Sequence, residues 1–188
     1  MTTILTISGS LRSGSLNTAL LKAMQAANDT GAGFEVATLH GIPLYDGDVE
    51  REQGLPQAVV ELKERIAACD GLLLGTPEYN NGVPGVFKNA IDWCSRPGSD
   101  IPRVFGGRPV AMVGASPGGF GTVLSQNGWL PVLRTLGMLH WTGSRLMVSR
   151  ANTVLDPANG SVDGSLQPRL AEFLGGFVAF VRAMPARA

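Results

Sequence analysis

Runs of consecutive apolar residues alternate along this chain with stretches in which apolar positions return every three or four residues. Residues 4–7, 34–39, 71–76 and 110–115 form four such runs, and residues 138–148 contain a fifth. Between the runs, Leu16, Ala19, Leu20, Ala23, Met24 and Ala27 recur at helical spacing. Val59, Leu62, Lys63, Ile66 and Ala67 fit a second helix begun by Pro56, and Val86, Phe87, Ala90, Ile91 and Cys94 a third opened by Pro84. Residues 123–136 predict a fourth helix. The last stripe is the clearest: Leu166, Leu170, Phe173, Leu174, Phe177, Val178 and Val181. Strands apolar on both faces, alternating with helices, predict a parallel sheet covered on both sides, a doubly wound α/β architecture of five strands. No repeat, linker or low-complexity stretch interrupts the alternation, so residues 1–188 read as one domain.

In such a sheet, ligands bind beyond the carboxyl ends of the strands, where strand order reverses. The unusual residues fall there. After the first strand comes Ser8-Gly9-Ser10-Leu11-Arg12-Ser13-Gly14-Ser15-Leu16-Asn17, a strand-to-helix turn of hydroxyls, glycines and one guanidinium. Backbone N–H groups at a helix start, with hydroxyls and an arginine, suit a phosphate; a capped turn of ordinary turn residues is the plainer alternative. The turn lacks the three-glycine dinucleotide fingerprint. Gly9 and Gly14 have Walker A spacing, but Ser15 stands where the lysine belongs, so nucleoside triphosphates are not expected. A cradle for one phosphate monoester remains. After the third strand, Thr76-Pro77-Glu78-Tyr79-Asn80-Asn81 would lie beside this cradle in a 2-1-3-4-5 sheet, stiffened by proline and suited to the edge of a flat heteroaromatic ring. Tyr79 would pack on such a ring or lid the local core. Glu78 would act as acid or base, or else be a solvated carboxylate or a subunit contact. After the fourth strand, Ser116 precedes Gly118 and Gly119, which allow close backbone approach.

Composition narrows the chemistry. Fifteen basic residues balance fifteen acidic ones, and charged residues make up 16% of the chain, which argues against nucleic acid or an anionic membrane as partner. No apolar run reaches the ~20 residues of a membrane span. Cys69 and Cys94, placed on predicted helices, have no metal or redox spacing. With no leader pattern before the first strand, a cytoplasmic protein is expected. His40 and His140 have no nucleophile or metal partner nearby in sequence, and His140 beside Trp141 reads as a core or interface residue. No nucleophile elbow or carboxylate pair stands out. No side chain is assigned as catalytic; a bound cofactor is expected to carry the reaction.

Residues 9–17, 76–80 and 84–93, with Ile42-Pro43-Leu44-Tyr45-Asp46 after the second strand, resemble the NADPH-dependent FMN reductase family, which includes quinone, azo-dye and chromate reductases. The resemblance spans nearly the whole chain. It implies a flavodoxin-like fold, FMN as cofactor, NADPH or NADH as co-substrate, and a homodimer or homotetramer. It places Ser10, Arg12, Ser15, Leu16 and Asn17 around the FMN phosphate. Pro77, Glu78, Tyr79 and Asn80 would line the ring edge, largely through backbone atoms, and Ser116, Gly118 and Gly119 would approach from the fourth strand. Helix 84–93 would lie at the dimer interface, with Lys88 and Asp92 paired on its polar face. The chain departs from the family pattern at Thr122, where a glycine is expected, and at Leu124, where an arginine linked to tetramer contacts or to the nicotinamide cofactor's phosphate is expected; Gln126 is kept. The implied reaction passes hydride from NAD(P)H to flavin N5 and then to a quinone-like or other small acceptor, in ping-pong order. The competing readings are a flavodoxin-like electron carrier without NAD(P)H oxidation of its own, and a protein that keeps the fold without the flavin.

Overall fold

Three central strands with fully buried interiors set the frame. In a computed structural model, which describes residues 1–158 and 160–185, β1 (Thr3–Ser8), β3 (Gly71–Gly75) and β4 (Pro109–Ala115) lie side by side in parallel. Every residue of β3 and β4 is buried, as continuous apolar runs require. β2 (Gly33–Ala37) pairs with the outer edge of β1 and is only partly covered. The order is β2-β1-β3-β4-β5, flavodoxin-like, with all neighbours parallel.

The far edge differs from a single fifth strand. β5 (Leu139–His140) pairs with the start of β4 and β6 (Leu146–Val148) with its end, so two short strands share one edge. The interruption follows from Trp141, whose indole leaves the sheet to pack against Phe173 and Phe177, with ring centroids 4.9 and 5.7 Å away. Gly176 makes room: a Cβ there would stand 2.8 Å from the indole.

Helices cover both faces. α1 (Leu16–Ala26) and the long last helix (Gln167–Ala183) bury their stripes in one core with Leu73, Ala111 and Val113. The opposite core joins Leu72, Leu74 and Val110 to three helices. These are the helix over Gln57–Ala68, begun at Pro56, the helix over Gly85–Cys94 and the helix over Val123–Thr135. Two helical pieces are absent from the sequence reading: Gly47–Gln53 and the short Ile101–Val104. The helices are therefore numbered α1, α2 (Gly47–Gln53), α3 (Gln57–Ala68), α4 (Gly85–Cys94), α5 (Ile101–Val104), α6 (Val123–Thr135) and α7 (Gln167–Ala183). Cys69 falls one residue past α3 rather than on it.

Arg108 is wholly buried and has carbonyls at or just past helix ends as acceptors. It donates to Val104 O at 2.7 Å, to Ala67 O at 3.1 Å and to Cys69 O, so its charge faces the negative ends of α3 and α5. Lys63, also buried, pairs with Asp100 at 2.7 Å and donates to Arg96 O.

Candidate functional site: three turns at the carboxyl edge

β1 lies between β2 and β3, and the chain leaves β1 toward β2, so the crevice opens at the carboxyl ends of β1 and β3. The turns after β1, β3 and β4 are bound to one another there.

Gly9 joins the first two. Its N–H donates to Gly75 O at 2.8 Å, and a Cβ on it would stand 2.2 Å from Phe87 Cδ1 and 2.9 Å from Pro77 Cδ. Only glycine lets the first turn descend onto α4 and Pro77. Asn17 joins the first turn to the third. Its side-chain amide donates to Ala115 O at 3.0 Å, and its Oδ1 accepts from Ala115 N–H at 2.9 Å. This buried two-bond clamp turns the Asn17 side chain toward Ala115.

Glu78 joins the second turn to the third. Its Oε2 accepts from the N–H groups of Leu124 and Ser125 at 2.8 and 3.0 Å, the second and third residues of α6. Thr122, the residue before α6, makes no side-chain cap bond, so a carboxylate from another segment supplies the cap and meets the positive end of the helix. One carboxylate oxygen, Oε2, is thus taken up by the start of α6. Thr76 beneath it accepts from Trp129 Nε1 at 3.0 Å and bonds Ser125 Oγ at 2.8 Å.

The first turn presents several donors without acceptors among the described residues. Ser15 caps α1 by accepting from Thr18 N–H at 3.2 Å, which leaves the N–H groups of Leu16 and Asn17 without acceptors among the described residues. Leu16 contributes backbone only, its side chain being buried in the α1 core. Ser10 is buried, and its Oγ accepts from Arg12 N–H at a long 3.4 Å. The Arg12 guanidinium is exposed and has no partner among the described residues.

The second turn is a tight hairpin. Tyr79 and Gly82 exchange backbone bonds of 3.2 and 3.0 Å, and the two residues between, Asn80 and Asn81, both have positive φ, +50° and +61°. Asparagine tolerates this region better than other non-glycine residues. Tyr79 is half exposed.

In the third turn, Ser116 Oγ accepts from Gly118 N–H at 3.1 Å, and residues 148–151 brace the turn through Ser116 N–H to Val148 O and Arg150 N–H to Gly118 O. A Cβ on Gly119 would meet nothing within 4 Å, and one on Gly118 only Ser116 Oγ at 3.4 Å. Packing against the described residues does not demand either glycine. Thr122 is buried against Gly114, where a Cβ would stand 1.9 Å from Thr122 Oγ1. Gln126 donates to Thr122 Oγ1 and to Leu146 O at 3.1 and 3.2 Å, so it braces the turn. Leu124 is partly exposed.

Two histidines resolve differently. His140 is half-buried on β5, and burial lowers its imidazole pKa. His40 reaches the first turn, with Nε2 3.1 Å from Leu11 O and Nδ1 3.1 Å from Thr38 Oγ1. Its partner Leu11 lies 29 residues away in sequence, and no local pattern announces the contact.

Among the described residues, no group of three or more His, Cys, Asp or Glu side chains is placed to hold a metal ion, and no helix is long and apolar enough to cross a membrane.

Known proteins resemble this chain in sequence and fold. The sequence profile of NADPH-dependent FMN reductases matches residues 2–153. An NAD(P)H-dependent FMN reductase of Pseudomonas aeruginosa is 39% identical over 181 residues, 96% of each chain. A 2-hydroxy-1,4-benzoquinone reductase of Burkholderia is 33% identical over 95% of this chain and 96% of its own. Among solved structures, the flavoenzyme NAD(P)H:(acceptor) oxidoreductase FerB of Paracoccus denitrificans superposes with a TM-score of 0.85 at 32% identity, covering 97% of this chain and 98% of that one.

Proposed function

The chain belongs to the NADPH-dependent FMN reductase family, and from that premise we propose that its three carboxyl-edge turns hold FMN for the NAD(P)H-dependent reduction of quinone-like small acceptors. The observation that carries the placement is the first turn. It offers two N–H groups without acceptors at the start of an eleven-residue helix, two serine hydroxyls, and an arginine with no partner among the described residues. That donor set, with no lysine, fits a phosphate monoester.

The chemistry that FMN supplies when bound is acceptance of hydride from NAD(P)H and two-electron reduction of a small acceptor. The protein's contribution is to bind and orient. Leu16 and Asn17 N–H, Ser10, Ser15 and Arg12 hold the phosphate at the positive end of α1. The stiff turn 77–80, tied to α6 through Glu78, presents backbone and the Tyr79 ring to the flat end of the cofactor. Ser116, Gly118 and Gly119 give backbone access from the third turn. Donors fixed before the ligand arrives need no reorganisation to stabilise developing negative charge.

In the same reading the protein is a cytoplasmic homodimer or homotetramer, with α4 at the dimer contact. Support for this face comes from a groove of about 320 Å³ between α4 and α6, lined by Ile91, Ile101, Pro131, Val132 and Leu136. At its rim Lys88 and Asp92 form the expected pair at 2.7 Å. Sedimentation equilibrium at micromolar protein tests it; a monomer refutes it.

Purified flavin-loaded protein mixed with NADPH or NADH and a benzoquinone tests the function. Sustained nicotinamide oxidation dependent on the quinone, with parallel double-reciprocal plots, is the expected result. No nicotinamide oxidation above the protein-free rate identifies an electron carrier instead.

A further inference from the structure

We propose that His40 is a positioning residue of the phosphate turn, holding the Leu11–Arg12 peptide so that the Arg12 N–H faces the FMN phosphate. The proposal rests on the placement of FMN at that turn.

The turn needs an external brace. Leu11, Arg12 and Ser13 are all exposed, so little packing fixes them. His40 sits just past β2, the strand beside β1, and its Nε2 lies 3.1 Å from Leu11 O. A carbonyl oxygen only accepts, so Nε2 carries the proton; in the neutral ring Nδ1 then accepts from the Thr38 hydroxyl, 3.1 Å away. The ring is thus anchored at one nitrogen and directed at the turn with the other. Among the described residues, this is the contact that holds the Leu11 carbonyl.

Peptide geometry turns that contact into a constraint on the cradle. In a trans peptide, the C=O of one residue and the N–H of the next point in opposite directions. Fixing Leu11 C=O toward His40 therefore sends Arg12 N–H the other way, toward buried Ser10. The bond it finds there, 3.4 Å to Ser10 Oγ, is longer than the usual 2.9–3.0 Å. A donor so weakly engaged can move to a phosphate oxygen without giving up a good hydrogen bond. Without His40, the exposed peptide is free to flip and present a carbonyl to the phosphate instead.

The test compares FMN with riboflavin, which lacks the phosphate, by quenching of flavin fluorescence on titration with protein. Gln in place of His sets its amide nitrogen near the position of Nε2 and can still donate to Leu11 O; Asn is short and reaches only the Nδ1 position. For His40→Ala and His40→Asn, FMN affinity falls roughly 3- to 10-fold, the worth of one hydrogen bond. His40→Gln stays within about twofold of the parent. Riboflavin affinity and the melting temperature of the flavin-free protein are unchanged in all three. FMN binding unaffected by His40→Ala, equal losses for FMN and riboflavin, or no difference between Gln and Asn overturns the proposal. Arg12→Ala separates the two levels. Selective loss of FMN over riboflavin there, with His40→Ala silent, overturns only the role of His40. No selectivity at Arg12 overturns the phosphate placement and the proposal with it.

Discussion

Gly9 is the position at which one added methyl group tests how the site is assembled. A Cβ in Gly9→Ala would stand 2.2 Å from Phe87 Cδ1, 3.0 Å from Phe87 Cε1 and 2.9 Å from Pro77 Cδ. Carbon atoms prefer 3.5–4.0 Å, so the worst overlap exceeds 1 Å. Phe87 has nowhere to retreat. It is fully buried and meets Trp129 edge to face at 4.9 Å, and Trp129 is pinned to Thr76 Oγ1 by a 3.0 Å bond. The first turn cannot lift either without losing Gly9 N–H to Gly75 O. Overpacking a dense core costs about 1–3 kcal/mol, and the locked surroundings put this case near 3 kcal/mol. At about 2–4 °C per kcal/mol for a chain of this size, flavin-free Gly9→Ala melts roughly 6–12 °C below the parent. Urea unfolding shows a lower midpoint at unchanged slope. The double variant Gly9→Ala/Phe87→Leu gives the added methyl its space, so its loss is smaller than the two single losses together by about 1–2 kcal/mol. A Gly9→Ala protein as stable as the parent, or strictly additive losses in the double variant, would refute this account of how the turn is seated.

Other changes have defined outcomes. Asn17→Ala leaves the buried N–H and C=O of Ala115 unpaired and costs about 2–4 kcal/mol in urea unfolding. Glu78→Ala removes the cap of α6 and costs about 1–2 kcal/mol; hydrogen exchange rises first at Leu124 and Ser125. Asp100 is held below its ordinary carboxyl value by Arg103 and then by Lys63. Its contribution is therefore complete above about pH 4 and is lost as pH falls below that, and Asp100→Asn flattens the acid limb of the stability–pH curve. Burial pushes the Cys94 thiol up to about 12, so in a Cys69→Ser background an aromatic disulfide reagent at pH 8 titrates Cys94 only when the protein unfolds.

How much was legible in the sequence depended on the range of the forces involved. β1, β3 and β4 are surrounded on both faces, which leaves continuous apolar runs no other reading. The Ser15 cap and the α1 stripe are contained within a dozen residues. α2 was missed because none of its residues is buried. Its cues were the Asp46 cap, which accepts from Asp48 N–H at 2.8 Å, and Gly54 past its end. Much of what holds it comes from elsewhere, through Glu50 bonded to Tyr45 and Arg96 at 2.9 and 3.0 Å. The single fifth strand became two because Trp141 gains more by packing on α7 than by staying in register. At the site, the turns were legible as positions but not as partners. Asn17 clamps a residue 98 places on, and Glu78 caps a helix that starts 45 residues later. Such long-range bonds leave no periodicity behind.

The central claim, that residues 10–17 grip the phosphate of FMN, is tested most directly by a crystal structure of the FMN complex. The account predicts phosphate oxygens within hydrogen-bond distance of the Leu16 and Asn17 N–H groups, with Arg12 and a Ser10 or Ser15 hydroxyl closing on them. A phosphate bound anywhere else, such as the cleft at the opposite sheet edge beside Arg182, would contradict it.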